Sequence, residues 1–237
     1  MGRGEETLSA QQLEVAAELL GPILDEVVFV GGATVHLWLT EPGVPPARAT
    51  EDVDVICEVA SRAEYYRLGE KLRERGLQEA VGEPVLCRWR SPEPRLVLDV
   101  MPTDPDILGF SNPWYEEAIV AAATVALASG AEIRATTPVL LVATKLCAWK
   151  GRGRGDLLRS LDVHDVLTLV DGRPELIEEI EAAPPAIRTY IKDELGDLRA
   201  EPYFDYAVKG ATASYGPIGG ERARLLGDRI EECCRAR

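Results

Sequence analysis

A change of hydrophobic pattern near residue 137 constrains the fold more than any other feature of the sequence. Before it, short apolar runs of strand length alternate with helical patterns, whereas every apolar pattern after it has the period of an α-helix. The sequence therefore predicts an α+β fold in two consecutive parts, an α/β domain over 1–136 and a helical domain over 137–237.

The predicted elements are short and regularly punctuated by Gly and Pro. In the first part we expect helices at 9–20, 34–39 and 61–76, strands at 27–30, 52–56, 85–90 and 95–100, and a hairpin over 118–135 turning at Ser129-Gly130. In the second part we expect helices at 137–150, 156–170, 174–182, 186–198 and 219–235.

Composition excludes several classes of protein. The 237 residues include 40 acidic and 26 basic side chains, and the net charge of −14 disfavours a protein that coats long nucleic acid. No apolar run approaches the roughly 20 residues that a membrane span needs, and no secretory h-region is visible. Five Cys without a C-x-x-C pair argue against zinc and disulfides. We therefore expect a cytoplasmic protein with no membrane partner.

Three carboxylates dominate the first part. Asp52 and Asp54 are one residue apart in a predicted strand, so both project from one face, and Asp99 interrupts the apolar strand at 95–100. A carboxylate on a buried strand is costly unless it is paired or bound to a cation. Hard oxygen donors of this kind suit Mg²⁺ (or Mn²⁺), although an isolated D-x-D is commonly a solvated strand face. Asp104 and Asp106 are alternatives to Asp99.

A Gly31-Gly32 pair lies directly after the strand at 27–30 and before a predicted helix. Glycines at such a turn allow the backbone to approach a phosphate group closely. A Gly-Gly pair alone is weak evidence, because tight turns use it widely, but here it precedes the D-x-D strand and the strand with the third Asp.

This order of motifs resembles the catalytic core of the DNA polymerase beta-like nucleotidyltransferase superfamily. The resemblance implies a small mixed sheet flanked by helices, with a C-terminal helical bundle that contributes to the active site. It implies that Gly31 and Gly32 hold the triphosphate of an NTP, and that Asp52, Asp54 and Asp99 bind the metal and act in catalysis.

The stretch R-A-T-E-D-V-D-V at 48–55 is similar to the R-x-[ST]-x-D-[IV]-D signature of the nucleotidyl transferase AbiEii/AbiGii toxin family. On this resemblance Thr50 belongs with the nucleotide-binding residues. The gap of 33–51 between the Gly-Gly pair and Asp52 is longer than in the smallest members of the superfamily. The resemblance also implies the toxin of a toxin–antitoxin pair that acts on RNA, with an antitoxin protein as partner.

The second part carries a group of cations. Lys145 lies beside the apolar stripe of a predicted helix, and Lys150, Arg152 and Arg154 follow in K-G-R-G-R-G. Such a cluster in an acidic chain calls for an anionic partner such as a triphosphate or RNA phosphate. Equally, Lys145 can be a core neighbour that extends to solvent, and the Gly-rich segment a solvated loop.

Two acids in the next helix, Asp162 and Asp165, are three residues apart and face the same side, within reach of Lys145. K-L-C-A-W-K, the basic K-G-R-G-R-G loop and S-L-D-V-H-D-V are similar to the K-L-x-A…R…D-[LI]-x-D region of AbiEii-like proteins. The resemblance implies a catalytic role for Lys145 and Asp162, with nucleotide phosphate bound by Lys145, Lys150 and Arg152.

The sequence thus favours a metal-dependent nucleotidyltransferase that transfers an NMP from an NTP to an acceptor hydroxyl and releases pyrophosphate. The acceptor is an RNA, of tRNA type, or a small molecule. Two alternatives stay open: an antibiotic-type small-molecule nucleotidyltransferase and a non-catalytic nucleotide-binding module.

Overall fold

The computed structural model describes residues 8–59, 61–83, 85–93, 95–151 and 155–235. These residues form two compact units. The first contains the described residues up to His36 together with Arg48–Thr137, and the second contains Leu37–Ala47 and the described residues from Pro138 onward. The α+β class, with a mixed sheet followed by a helical bundle, is confirmed.

One seven-stranded sheet organises the described residues of the first unit, in the order β3-β4-β5-β2-β1-β7-β6. The β5–β2 and β1–β7 pairs are parallel and the other neighbours are antiparallel. The strands are β1 (Val27–Val30), β2 (Val53–Cys57), β3 (Gln78–Glu79), β4 (Arg88–Ser91), β5 (Leu96–Pro102), β6 (Ala123–Ala126) and β7 (Glu132–Ala135).

The central strands β1, β2 and β5 are almost completely buried, as expected of strands covered on both faces. Helix α1 (Leu8–Leu20) packs against β2 and β5 through the predicted stripe of Leu13, Ala16, Ala17 and Leu20. The remaining helices of this unit are α2 (Arg62–Glu74), α3 (Pro105–Leu108) and α4 (Tyr115–Val120), with a 3₁₀ helix at Gly21–Glu26 and another that begins at Gly32.

Several sequence-based boundaries were wrong. The helix expected at 34–39 is a 3₁₀ helix, Gly32–Trp38, and the strand expected at 85–90 is β4, which begins at Arg88. The hairpin over 118–135 is shorter than expected, because residues 118–120 belong to α4 and only β6 and β7 pair. Strand ends depend on where a neighbouring strand offers hydrogen-bond partners, which a local pattern does not reveal.

The second unit is helical, as predicted. Its elements are α5 (Pro138–Gly151), α6 (Leu161–Gly172), α7 (Leu176–Ala182), α8 (Pro185–Arg199), α9 (Phe204–Ala211) and α10 (Gly219–Arg235), with 3₁₀ helices at Leu157–Arg159 and Ala213–Ile218. Helix α9 was not predicted. Short helices of this kind obtain their stability from tertiary packing, here through Phe204, Ala207 and Val208, rather than from local propensity.

The Pro-rich segment Leu37–Ala47 packs with the helical unit, although it lies in the first part of the chain. Glu41 connects this segment to α10. Arg222 and Arg229 lie on the same face of that helix, and both donate hydrogen bonds to the Glu41 carboxylate. Arg222 Nε also donates to Asp171 Oδ1 at 2.6 Å, and the Tyr215 hydroxyl donates to Asp171 Oδ2 at 2.6 Å. A largely buried ion-pair cluster therefore holds this segment on α6 and α10.

Replacing Glu41 with Gln should destabilise the protein by roughly 1–3 kcal/mol at neutral pH, because two largely buried guanidinium groups lose their counter-ion. The hydrogen bond from Arg222, with a smaller contribution from Arg229, holds the pKa of Glu41 below its ordinary value of 4.5. Glu41 therefore stabilises the fold above pH 4.5, and this contribution is lost as the pH falls through its lowered pKa. Urea unfolding of both proteins across pH 3–7 measures the effect.

The matched control is Glu231→Gln, which breaks ion pairs with two more exposed arginines, Arg199 and Arg235. That variant should differ from the wild-type free energy of unfolding by less than about 1 kcal/mol. Equal losses of unfolding free energy in the two variants would contradict a special stabilising role for the buried Glu41 cluster.

Candidate active site on β1, β2 and β5

Strand register brings two of the predicted carboxylates side by side. Asp54 of β2 is the direct partner of Asp99 in the parallel neighbour β5 and of Val30 in the antiparallel neighbour β1. Directly paired residues project from the same face of a sheet, at a strand spacing of about 4.8 Å. Asp52 precedes Asp54 by two residues, so alternation directs it to that face as well.

Gly31 is required by the position of the Asp54 carboxylate. Its φ is +76°, a left-handed conformation that favours glycine. A Cβ atom on Gly31 would lie 1.9 Å from Asp54 Oδ2 and 2.7 Å from its Cγ. Thr34 closes the turn, since its backbone N–H and hydroxyl both donate to the Gly31 carbonyl oxygen, at 3.2 and 2.9 Å. The predicted Gly-Gly turn and the D-x-D strand therefore meet at one point, and Gly32 follows as the buried first residue of the 3₁₀ helix.

A side chain that the sequence reasoning missed joins the carboxylates. Arg88 is the antiparallel partner of Asp99, and its Nε and Nη2 donate to Asp99 Oδ1 and Oδ2, both at 2.8 Å. The same Nη2 donates to Asp52 Oδ2 at 2.6 Å. The expected strands at 85–90 and 95–100 did not fix this register, in which Ser91 pairs with Leu96 and Arg88 with Asp99.

The electrostatics of this cluster follow from burial and pairing. The Asp99 side chain is 8% exposed, that of Arg88 19% and that of Asp52 33%, so the bidentate Arg88–Asp99 pair is the most enclosed part. The hydrogen bonds to Asp99 raise the pKa of the Arg88 guanidinium, against a smaller opposing effect of burial. Glu83 lies 4.0 Å from Arg88 Nη1 and is held at 2.8 Å by Arg90 Nε.

Asp104, one of the alternatives to Asp99, has a structural role. Asp104 caps α3, since its Oδ1 accepts the backbone N–H of Asp106 at 2.8 Å. Thr50, expected among the nucleotide-binding residues, is buried, and its hydroxyl donates to Gln12 Oε1 at 3.1 Å.

The candidate site is rich in carboxylate oxygens. Three carboxylates on adjoining strands have the chemistry that Mg²⁺ prefers. In the described part of the chain, however, no three His, Cys, Asp or Glu side chains converge as a ready metal cluster. The Asp52 and Asp99 oxygens are instead directed toward the guanidinium of Arg88, so these side chains hold an internal cation.

The second unit contains a separate ionic cluster. Lys145 of α5 lies 2.7 Å from Asp165 Oδ2 and 3.3 Å from Asp162 Oδ1, both on α6. The predicted juxtaposition of these three residues is therefore observed, and all three are buried. Lys145 is enclosed rather than extended to solvent. Since two acids face one lysine, the cluster has a formal charge of −1.

The cations that follow Lys145 are placed differently. Lys150 forms an ion pair with the buried Glu194 of α8, so its ammonium group has an internal partner. Arg152, the other predicted phosphate ligand of this segment, lies outside the described residues, as does Arg154.

Comparisons with known proteins give little at the level of sequence: the chain matches no protein-family model and no curated protein. Solved structures do match. One is a crystal structure of an antigenic nucleotidyltransferase-like protein from Paracoccidioides brasiliensis, 17% identical, with a TM-score of 0.49 over 85% of this chain and 92% of the other. No helix in the described residues combines the length and apolar character needed to cross a membrane.

Replacing Gly31 with Ala should lower the free energy of unfolding by about 3 kcal/mol, because the new methyl group adds a steric clash with Asp54 to the strain of a positive φ. Gly130→Ala is the matched control. Its φ is +89°, but no atom lies within 4 Å of the added Cβ, so only the strain of about 1–2 kcal/mol remains. Chemical denaturation measures both, and equal losses would contradict the close approach of Asp54 to Gly31.

Proposed function

We propose that this chain is a metal-dependent nucleotidyltransferase that transfers an NMP from an NTP to an acceptor hydroxyl and releases pyrophosphate. The observation that carries the proposal is the placement of Asp52 and Asp54 at the start of β2 and of Asp99 on the neighbouring β5, beside the Gly31 turn that follows β1. The acids, the turn and the order of their strands are those that the superfamily resemblance requires.

Each residue has a role in the proposed reaction. Asp52, Asp54 and Asp99 would hold divalent ions, which when bound neutralise the triphosphate and favour ionisation of the attacking hydroxyl. Gly31 and Gly32 would receive the phosphates through backbone N–H groups. The acceptor oxygen forms a bond to the α-phosphorus while the bond from that phosphorus to the bridging oxygen of the pyrophosphate breaks. The acceptor proton passes to a carboxylate, for which we propose Asp99.

The motif resemblance also gives residues of α5 and α6 a part in the proposed reaction. Lys145 is a buried cation fixed by Asp162 and Asp165, so its position needs little reorganisation. We propose that Lys145, with Lys150 and Arg152, binds nucleotide phosphate, and that Asp162 acts near the attacking group. Thr50 is a weaker candidate for nucleotide binding, since its hydroxyl already has a partner in Gln12.

The acceptor and the biological role rest on the motif resemblance alone. The stretch from Arg48 to Val55 favours the AbiEii/AbiGii toxin type, hence transfer to the 3′ end of an RNA of tRNA type and inhibition by an antitoxin protein. A small-molecule acceptor, as in antibiotic-modifying enzymes, would use the same site. The two possibilities differ only in which molecule receives the NMP.

The direct test incubates purified protein and Mg²⁺ with each of four α-labelled NTPs, total RNA, cell lysate or a panel of small-molecule acceptors. Wild type should label one class of acceptor, and Asp54→Asn should lower the rate by about 100-fold or more, because a required carboxylate is lost. Asp104→Asn is the control, since Asn caps a helix as well as Asp. Equal rates for wild type and Asp54→Asn would contradict the proposal.

One observation favours a second function, a nucleotide-binding module without catalysis. Arg88 already provides a cation between Asp52 and Asp99, an arrangement that is complete without a metal. Calorimetric titration with a non-hydrolysable NTP analogue separates the two. The transferase should bind it at least about tenfold more tightly with Mg²⁺ than with EDTA, because a bound ion screens phosphate from carboxylate. Equal affinity would favour the module.

A further inference from the structure

The guanidinium of Arg88 occupies the position that a bridging cation would take between two of the three carboxylates. One nitrogen, Nη2, donates to Asp52 at 2.6 Å and to Asp99 at 2.8 Å, and Nε completes the fork on Asp99. A divalent ion held by the same two carboxylates would compete with Arg88 for their oxygen atoms.

Charge explains why a cation is needed there at all. Three carboxylates close together on one face of the sheet repel each other, and burying Asp99 without a counter-ion would be costly. With Arg88 the formal charge of the group falls from −3 to −2. Arg88 is itself anchored in the sheet as the direct partner of Asp99, so the cation is held by the fold.

We propose that Arg88 is an internal counter-ion that competes with the divalent ion for Asp52 and Asp99, so that loading the site exchanges a guanidinium for a metal. The inference rests on the proposed function, because it concerns the same site. Arg88 is thus a positioning residue in the metal-free protein and sets the metal affinity. If Arg88 instead held the carboxylates in place when the metal is bound, removing its side chain would weaken metal binding rather than strengthen it.

Binding of Mn²⁺, measured by the loss of the free-ion EPR signal, distinguishes these roles. Arg88→Met removes the competing charge and should bind Mn²⁺ about tenfold more tightly than wild type, from the Coulomb energy of one charge in a solvent-accessible site. Arg90→Met is the matched control. It removes a cation two residues away on β4, one that pairs with Glu83 instead, and should change the affinity by less than about threefold.

A second measurement uses the wild-type protein and so does not depend on how the variant folds. The Arg88 Nε–H is protected by its bond to Asp99, and its NMR signal, assigned by comparison with Arg88→Lys, should shift or broaden when Mg²⁺ saturates the site. Arg88→Lys keeps the charge but loses the fork, so its Mn²⁺ affinity should lie between those of wild type and Arg88→Met.

The outcomes separate this inference from the function on which it rests. If wild type binds Mn²⁺, Asp54→Asn does not, and Arg88→Met binds equally or more weakly, the competition is refuted and the metal site stands. An Nε–H signal that is unchanged at saturating Mg²⁺ also refutes it. If neither wild type nor Arg88→Met binds Mn²⁺ differently from Asp54→Asn, both the inference and the metal-dependent function fall.

Discussion

The register of β2 between β1 and β5 is the constraint on which the candidate site depends. It sets Asp54 opposite both Val30 and Asp99, and therefore beside the Gly31 turn that follows β1. A slip of one residue would direct the carboxylates to the other face of the sheet. The buried Val53 and Val55 oppose such a slip, because it would turn apolar side chains toward the acids.

The protein balances its buried acids with internal cations in both units. Arg88 lies between Asp52 and Asp99, and Lys145 between Asp162 and Asp165. In an acidic chain these cations let carboxylates cluster without unfolding the regions around them. In both clusters the carboxylates converge on a side-chain cation. An acid-rich motif therefore identifies groups that can bind a cation, whereas the net charge of the cluster depends on the side chains that pack around it.

Most of the fold could be predicted because its signals are local. The stripe of α1, the strand that ends at Gly31 and the amphipathic helices of the second unit are all readable within windows of about a dozen residues. The same holds for the acids of the site, whose alternation in β2 places two of them on one face. Helix α9 and the start of β4 were missed, since each depends on packing or pairing with distant segments.

By itself, the sequence determined which acids can share a face and which segments are strands or helices, because these follow from the covalent spacing of side chains along the backbone. Only the tertiary structure decided what those acids touch. It made Arg88 the partner of Asp99, and it placed the segment around Glu41 with α10, almost two hundred residues away along the chain. Such contacts depend on strand register, desolvation and charge pairing between different segments, and no local pattern contains them.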